Sequence, residues 1–243
     1  MLRHALAASL FVNTIVCWAQ TTSASNTKIV APMLPLLEVL AEARASGSIE
    51  MSAHCEAGPN WHFPNVHSPS AHGGSLLQRV REMFADNPGM QVTQDAGGMI
   101  RIIENGTQRD LLNVAIDHIP FESKGIPLQD AAFSPVNALM QILQSPEVVD
   151  FMKAHDIELA IRGQSSLTNE PFSDESPHIT DSMNHITLSQ ALDRVLKTFP
   201  GIWFFEDCPR GDGKGRSVFL VFLDLKNPGL VEIEEPGRAK VSQ

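Results

Sequence analysis

Apolar positions in residues 187–208, TLSQALDRVLKTFPGIWFFEDC, first recur with a helical period and then run almost unbroken. Leu188, Ala191, Leu192, Val195, Leu196 and Phe199 fall at i, i+3, i+4, i+7, i+8 and i+11, the stripe of an amphipathic helix. Thr187 and Gln190 have the spacing of a capping box, in which each side chain satisfies a backbone N–H of the first turn. Pro200-Gly201 predicts the stop, since proline cannot continue a helix and glycine accepts a left-handed turn. The apolar run that follows predicts a buried strand.

The same patterns extend along the chain. They predict a helix over 33–45, a strand over 49–55, an aperiodic Pro/Gly/His/Asn-rich loop over 56–74 and a helix over 75–84. A hairpin of 90–94 with 99–103 closes across Asp95-Ala96-Gly97-Gly98. Beyond it come a strand over 112–119 and a helix opened by Ser134-Pro135, which breaks at Ser145-Pro146 into a new helix over 147–155. A strand over 157–161, a second long loop over 162–185, the helix over 188–199, and strands over 202–207 and 217–223 joined by 209–216 complete the series.

SLLQRVREMFADNPGMQV from Ser75 lies on TLSQALDRVLKTFPGIWF from Thr187 without a gap. Ser75 meets Thr187, Gln78 meets Gln190, Val80 meets Leu192, Phe84 meets Leu196, and Pro88-Gly89 meets Pro200-Gly201. Upstream, SGSIEMSAHCEAGPNWHF resembles HDIELAIRGQSSLTNEPF. A shared cap, stripe and stop in register predict an internal duplication. The expected fold is α+β: two repeated helix–strand–helix–β-hairpin units, residues 31–120 and 121–226, split-βαβ-like and packed together. The two are not expected to fold apart, because the strongest apolar strands need a partner layer. Residues 20–30 read as a flexible arm and 227–243 as a flexible, Pro/Glu-rich tail.

The second copy, HITLSQALDRVLKTFPGIWFFED with SVFLVF, resembles the secretin and TonB N-terminal short domain, over residues 178–223 and more weakly over 70–104. The resemblance implies a small βαβ-type module of the bacterial envelope used for protein contacts rather than catalysis. No sequence of a secretin ring domain or membrane barrel accompanies it, so the transport role of that family is not implied.

Residues 1–19 have a basic start (Arg3, His4), a short apolar core and a small residue at Ala19, the layout of a cleavable secretory signal. Cleavage there removes Arg3 and no acid, taking the formal charge from −10 to −11. No later stretch has the roughly 18 consecutive apolar residues of a membrane helix. The expected mature protein is periplasmic or secreted, with no membrane span. Its acidic balance argues against nucleic acid and anionic membranes as partners. An envelope or extracellular protein is the expected partner.

With Cys17 removed, Cys55 and Cys208 remain, each at the end of a predicted strand, one per repeat. Two cysteines in an exported chain predict a Cys55–Cys208 disulfide. His54, Cys55, His62, His67 and His72 lie within nineteen residues, but Pro59, Pro64 and Pro69 hold that loop extended and the second copy has no matching histidines. No metal or cofactor is therefore assigned. The 210–217 stretch, RGDGKGRS, lacks the P-loop pattern, and neither G-x-S-x-G nor H-E-x-x-H occurs. Asp117 and His118 are adjacent on a strand and so face opposite ways. The sequence thus predicts a non-enzymatic envelope protein that acts as a protein-interaction module. The alternative is a metal- or ligand-binding exported protein, or metal-dependent hydrolase, using the histidine loop.

Overall fold

Six strands form one mixed sheet in the order β2-β3-β1-β7-β8-β5, and two more form a small antiparallel sheet, β4-β6. In the computed structural model the described residues are 33–52, 64, 66–69, 73–121, 131–161, 177–210 and 213–225. The helices are α1 (Leu34–Ala43), α2 (Leu76–Met83), α3 (Pro135–Leu143), α4 (Pro146–Ala154) and α5 (Leu188–Thr198). The strands are β1 (Gly47–Met51), β2 (Met90–Gln94), β3 (Ile100–Glu104), β4 (Ala115–Ile119), β5 (Ile157–Ile161), β6 (Met183–Thr187), β7 (Gly201–Pro209) and β8 (Arg216–Asp224). The protein is α+β, as the pattern predicts.

Residues 47–104 and 157–224 each contribute a three-stranded part of the same design. In the first, β3 pairs antiparallel with β2 and parallel with β1; in the second, β8 pairs antiparallel with β7 and parallel with β5. The helix-linked strands are thus separated by one intervening strand in both parts, although they run antiparallel to each other. A parallel β1–β7 pair, with Gly47 opposite Ile202 and Met51 opposite Glu206, joins the two parts. It follows that β3, β1 and β7 run one way while β2, β8 and β5 run the other. The second part repeats the strand order of the first with every direction reversed. Only a half-turn about an axis across the strands does this, and such a turn also exchanges the faces of the sheet.

The helices obey that operation. α1 and α2 cover one face, packing Leu36, Leu40, Val80 and Met83 on Ile49, Ile102, Phe204 and Val221. α3, α5 and the β4–β6 pair cover the other, packing Leu139, Ile142, Leu192 and Val195 on Trp203, Phe205, Leu220 and Phe222. The continuous apolar run of β7 follows from this burial on both faces.

The caps are real but unequal. Thr187 and Gln190 make the full capping box on α5, whereas Ser75 accepts from the Gln78 N–H on α2 while the Gln78 side chain turns toward Glu82. Ser134 caps α3, and α4 begins after Ser145. Three expectations need correction. Residues 183–185, read as the end of a loop, belong to β6 (Met183–Thr187), which pairs with β4. Residues 112–114 are not strand: a 3-10 turn at Leu111–Asn113, capped by Asp110, precedes β4. Gly201 adopts no left-handed turn, for the left-handed glycines among the described residues are Gly74, Gly98, Gly106 and Gly213. Gly201 is required instead for space, since a Cβ there would lie 2.5 Å from the Leu223 carbonyl oxygen and from the Phe222 ring.

Candidate functional site

Two regions concentrate polar chemistry. The first lies at the carboxyl ends of β1, β3 and β7, where Glu50, Glu104, Glu206 and Asp207 are all buried. Strand alternation divides them. Met51 stands opposite Glu206 across the β1–β7 pair, and Glu104 ends the strand on its other side. Glu104 and Glu206 therefore flank Met51 on the α1/α2 face. Glu104 accepts a hydrogen bond from the Ser52 N–H at 2.9 Å. Glu206 is 2% exposed, and its Oε2 has no hydrogen-bond partner among the described residues. Burial, reinforced by the Glu104 carboxylate, pushes the Glu206 carboxyl up to about 7.

On the opposite face the acids meet arginines. Arg109 Nε lies 2.5 Å from the buried carboxylate of Glu50, whose affinity for a proton is nonetheless raised because burial outweighs the arginine. Arg216 bridges Asp110 and Asp207, at 2.8 Å each. Burial pushes Asp207 up to about 6 against the pull of Arg216. Asp110 is less enclosed: burial would raise it, but the Arg216 and Leu111 hydrogen bonds prevail and hold it below the ordinary range.

The second region is an open groove of about 1030 Å³ between the carboxyl end of α1, the β2–β3 turn and α5. Its floor is an ion-pair network across the two parts of the sheet. Arg101 on β3 grips both oxygens of Asp193 on α5, at 2.8 and 2.6 Å, and reaches Asp95 at 3.2 Å. Trp203 Nε1–H also donates to Asp193, at 2.9 Å. Gln94, Asn184 and Gln190 supply neutral polar walls, and Arg44, Arg194 and Lys197 stand around them. Four lining cations stand against two lining anions, and Asp181 lies 3.8 Å from Arg194, so the formal excess at this groove is one positive charge on a chain of net −10.

Of the residues singled out from sequence, Cys208 is half-buried, one residue before the exposed end of β7 and opposite Ser217, and it is not without a partner. Cys55, His54, His62 and His72 lie outside the described residues, as does the 1–19 segment. His67 pairs with Asp86 at 3.0 Å, both exposed. Among the described residues no group of three or more His, Cys, Asp or Glu side chains could hold a metal ion. No described helix is long and apolar enough to cross a membrane. Asp117 and His118 do not act together: His118 Nδ1 meets Asn184, and Asp117 faces His185 at 3.9 Å. The Pro209–Arg216 turn is a hairpin connection held by the Arg210 N–H bond to Gly215.

Sequence reasoning missed the buried acids and the Arg101–Asp193 pair. A signal for the acids exists: Glu206-Asp207 continues the apolar run of β7 without a turn residue between. No family model, curated protein or solved structure matches the chain.

Proposed function

We propose that this is an exported, non-enzymatic cell-envelope protein that works as a protein-interaction module, taking an acidic, extended segment of a partner protein in the groove above Arg101. The observation that carries this reading is the positive groove wall on an acidic chain, which selects a partner of opposite sign and repels others. The likeness of residues 178–223 to the secretin and TonB N-terminal short domain, a contact module, agrees with it. A Cys55–Cys208 disulfide belongs to the same proposal. Met51 pairs with Glu206, and the four residues from Met51 to Cys55 span up to ~13 Å, ample to reach Cys208.

The test is a photo-crosslinking side chain placed at Gln190 in the groove, or at Asp150 on α4 as a control, in the producing cell. A discrete adduct from Gln190, absent from Asp150 and lost in the Arg44→Glu, Lys197→Glu double variant, is the expected result. Equal adducts from both sites, or none from Gln190, would contradict the proposal.

A second reading, metal or ligand binding by the histidine loop, is favoured by one observation. Glu206, whose Oε2 has no hydrogen-bond partner among the described residues, stands opposite Met51, three residues before His54. Stoichiometric zinc in the purified protein, lost on replacing His62 and His67, would establish it in place of the first.

A further inference from the structure

The six-stranded sheet has two lateral edges, and they are built differently. At one end, β2 turns Met90, Val92 and Gln94 outward, because Gln91 and Thr93 bond to β3. One outward group of that edge is already taken by the preceding helix: Arg81 Nε, on α2, donates to the carbonyl of Val92 at 3.1 Å. At the other end, Asp156 bonds Arg216 on β8, and a parallel ladder uses alternate residues. Ile157, Leu159 and residue 161 therefore turn their N–H and C=O groups away from the sheet. No described residue pairs with them. Ile157 and Leu159 are only half-buried, at the margin of the α3/α5 core.

The molecule itself shows what such an edge accepts. β1 is the counterpart of β5 in the first part, parallel to the second strand of its hairpin in the same way, and its outer side is filled by a whole strand, β7. The edge at β5 is moreover held firm, since Arg210 reaches from the β7–β8 turn to Asp156 and Glu158.

We propose that β5 is a docking edge for a second copy of this chain, two β5 strands meeting antiparallel about Leu159 and continuing the sheet through both subunits. The Arg81 bond to the Val92 carbonyl opposes the head-to-tail alternative, in which β5 of one copy would meet β2 of the next and growth would not stop. Two β5 edges instead form a closed, isologous contact. Centred on Leu159, the pairing sets residue 157 opposite 161 and 158 opposite 160, so Glu158 does not meet its own copy. The Leu159 N–H and C=O of each subunit bond those of the other, and the half-buried Ile157 and Leu159 become covered. The inference is independent of the groove, which lies at the other end of the strands from the β7–β8 turn.

The test is sedimentation velocity of the full mature chain over a wide concentration range, with two variants. Leu159→Pro removes an N–H that points outward and makes no bond to β8, so an edge strand tolerates it. Leu159→Lys keeps the N–H but opposes two like charges across the axis. A concentration-dependent dimer weakened at least about tenfold by both variants, with circular dichroism unchanged in the lysine variant, is the expected result. A wild type monomeric throughout the range, or a dimer indifferent to Leu159→Lys, overturns the proposal.

Discussion

At the scale of the residue, Glu206 makes the sharpest statement. Its carboxyl is raised to about 7 in the folded protein by burial and by Glu104, whereas in the unfolded chain it titrates in the ordinary range. Between those values the native state holds a proton that the unfolded chain has released, so this contribution to stability is present at low pH and is lost as pH rises through about 7. The shift corresponds to about 3 kcal/mol, and Asp207, raised to about 6, acts in the same direction. Glu206→Gln should therefore leave the thermal midpoint near that of the wild type at pH 5 and raise it at pH 8. Equal pH slopes for the two proteins would sink this account. The two Pro-Gly stops give a second contrast. A Cβ at Gly201 collides with the Leu223 carbonyl oxygen, while nothing lies within 4 Å of one at Gly89. Gly201→Ala should cost about 3 kcal/mol and Gly89→Ala under about 0.5, as read from urea midpoints.

Elements were legible in the sequence where one face meets the core and the other meets water. The α5 stripe, the caps at Ser75, Ser134 and Thr187 and the β2–β3 hairpin all emerge from period and turn chemistry. β6 escaped because Met183–Thr187 buries only Met183 fully and pairs with a strand some seventy residues away. Glu50 and Glu104 look like the solvent side of alternating strands, and only the helices on both faces bury them. The Arg101–Asp193 pair joins residues 92 apart in sequence, so no local pattern announces it. Because each side chain is less than one-fifth exposed, Arg101→Ala leaves a nearly enclosed carboxylate with the Trp203 N–H as its remaining donor. A loss of about 2 kcal/mol in unfolding free energy is expected. A loss within error of zero would show the pair to be solvated.

For the whole molecule, the half-turn that relates the strand order of the two parts of the sheet sets how they share their faces. The alignment from Ser75 and Thr187 carries α2 onto α5 but slips by one residue in the strands. Val92 faces α2 whereas Phe204, its aligned partner, faces away from α5. A period reading cannot see such a slip. Joining the parts through β1–β7 leaves neither with a complete face. Phe204 and Val221 lie under α1 and α2, and Arg101 is held by α5. The parts should accordingly open together.

Native-state hydrogen exchange on the full chain tests this most directly, because it reads the opening free energy of each strand separately. The outward amides of β1 and those of β7 and β8 should share one free energy, equal to that of global unfolding. Exchange of 47–51 and 100–104 at a distinctly lower free energy than 201–224 would mean that the halves are separate folding units, and would contradict the single-sheet account.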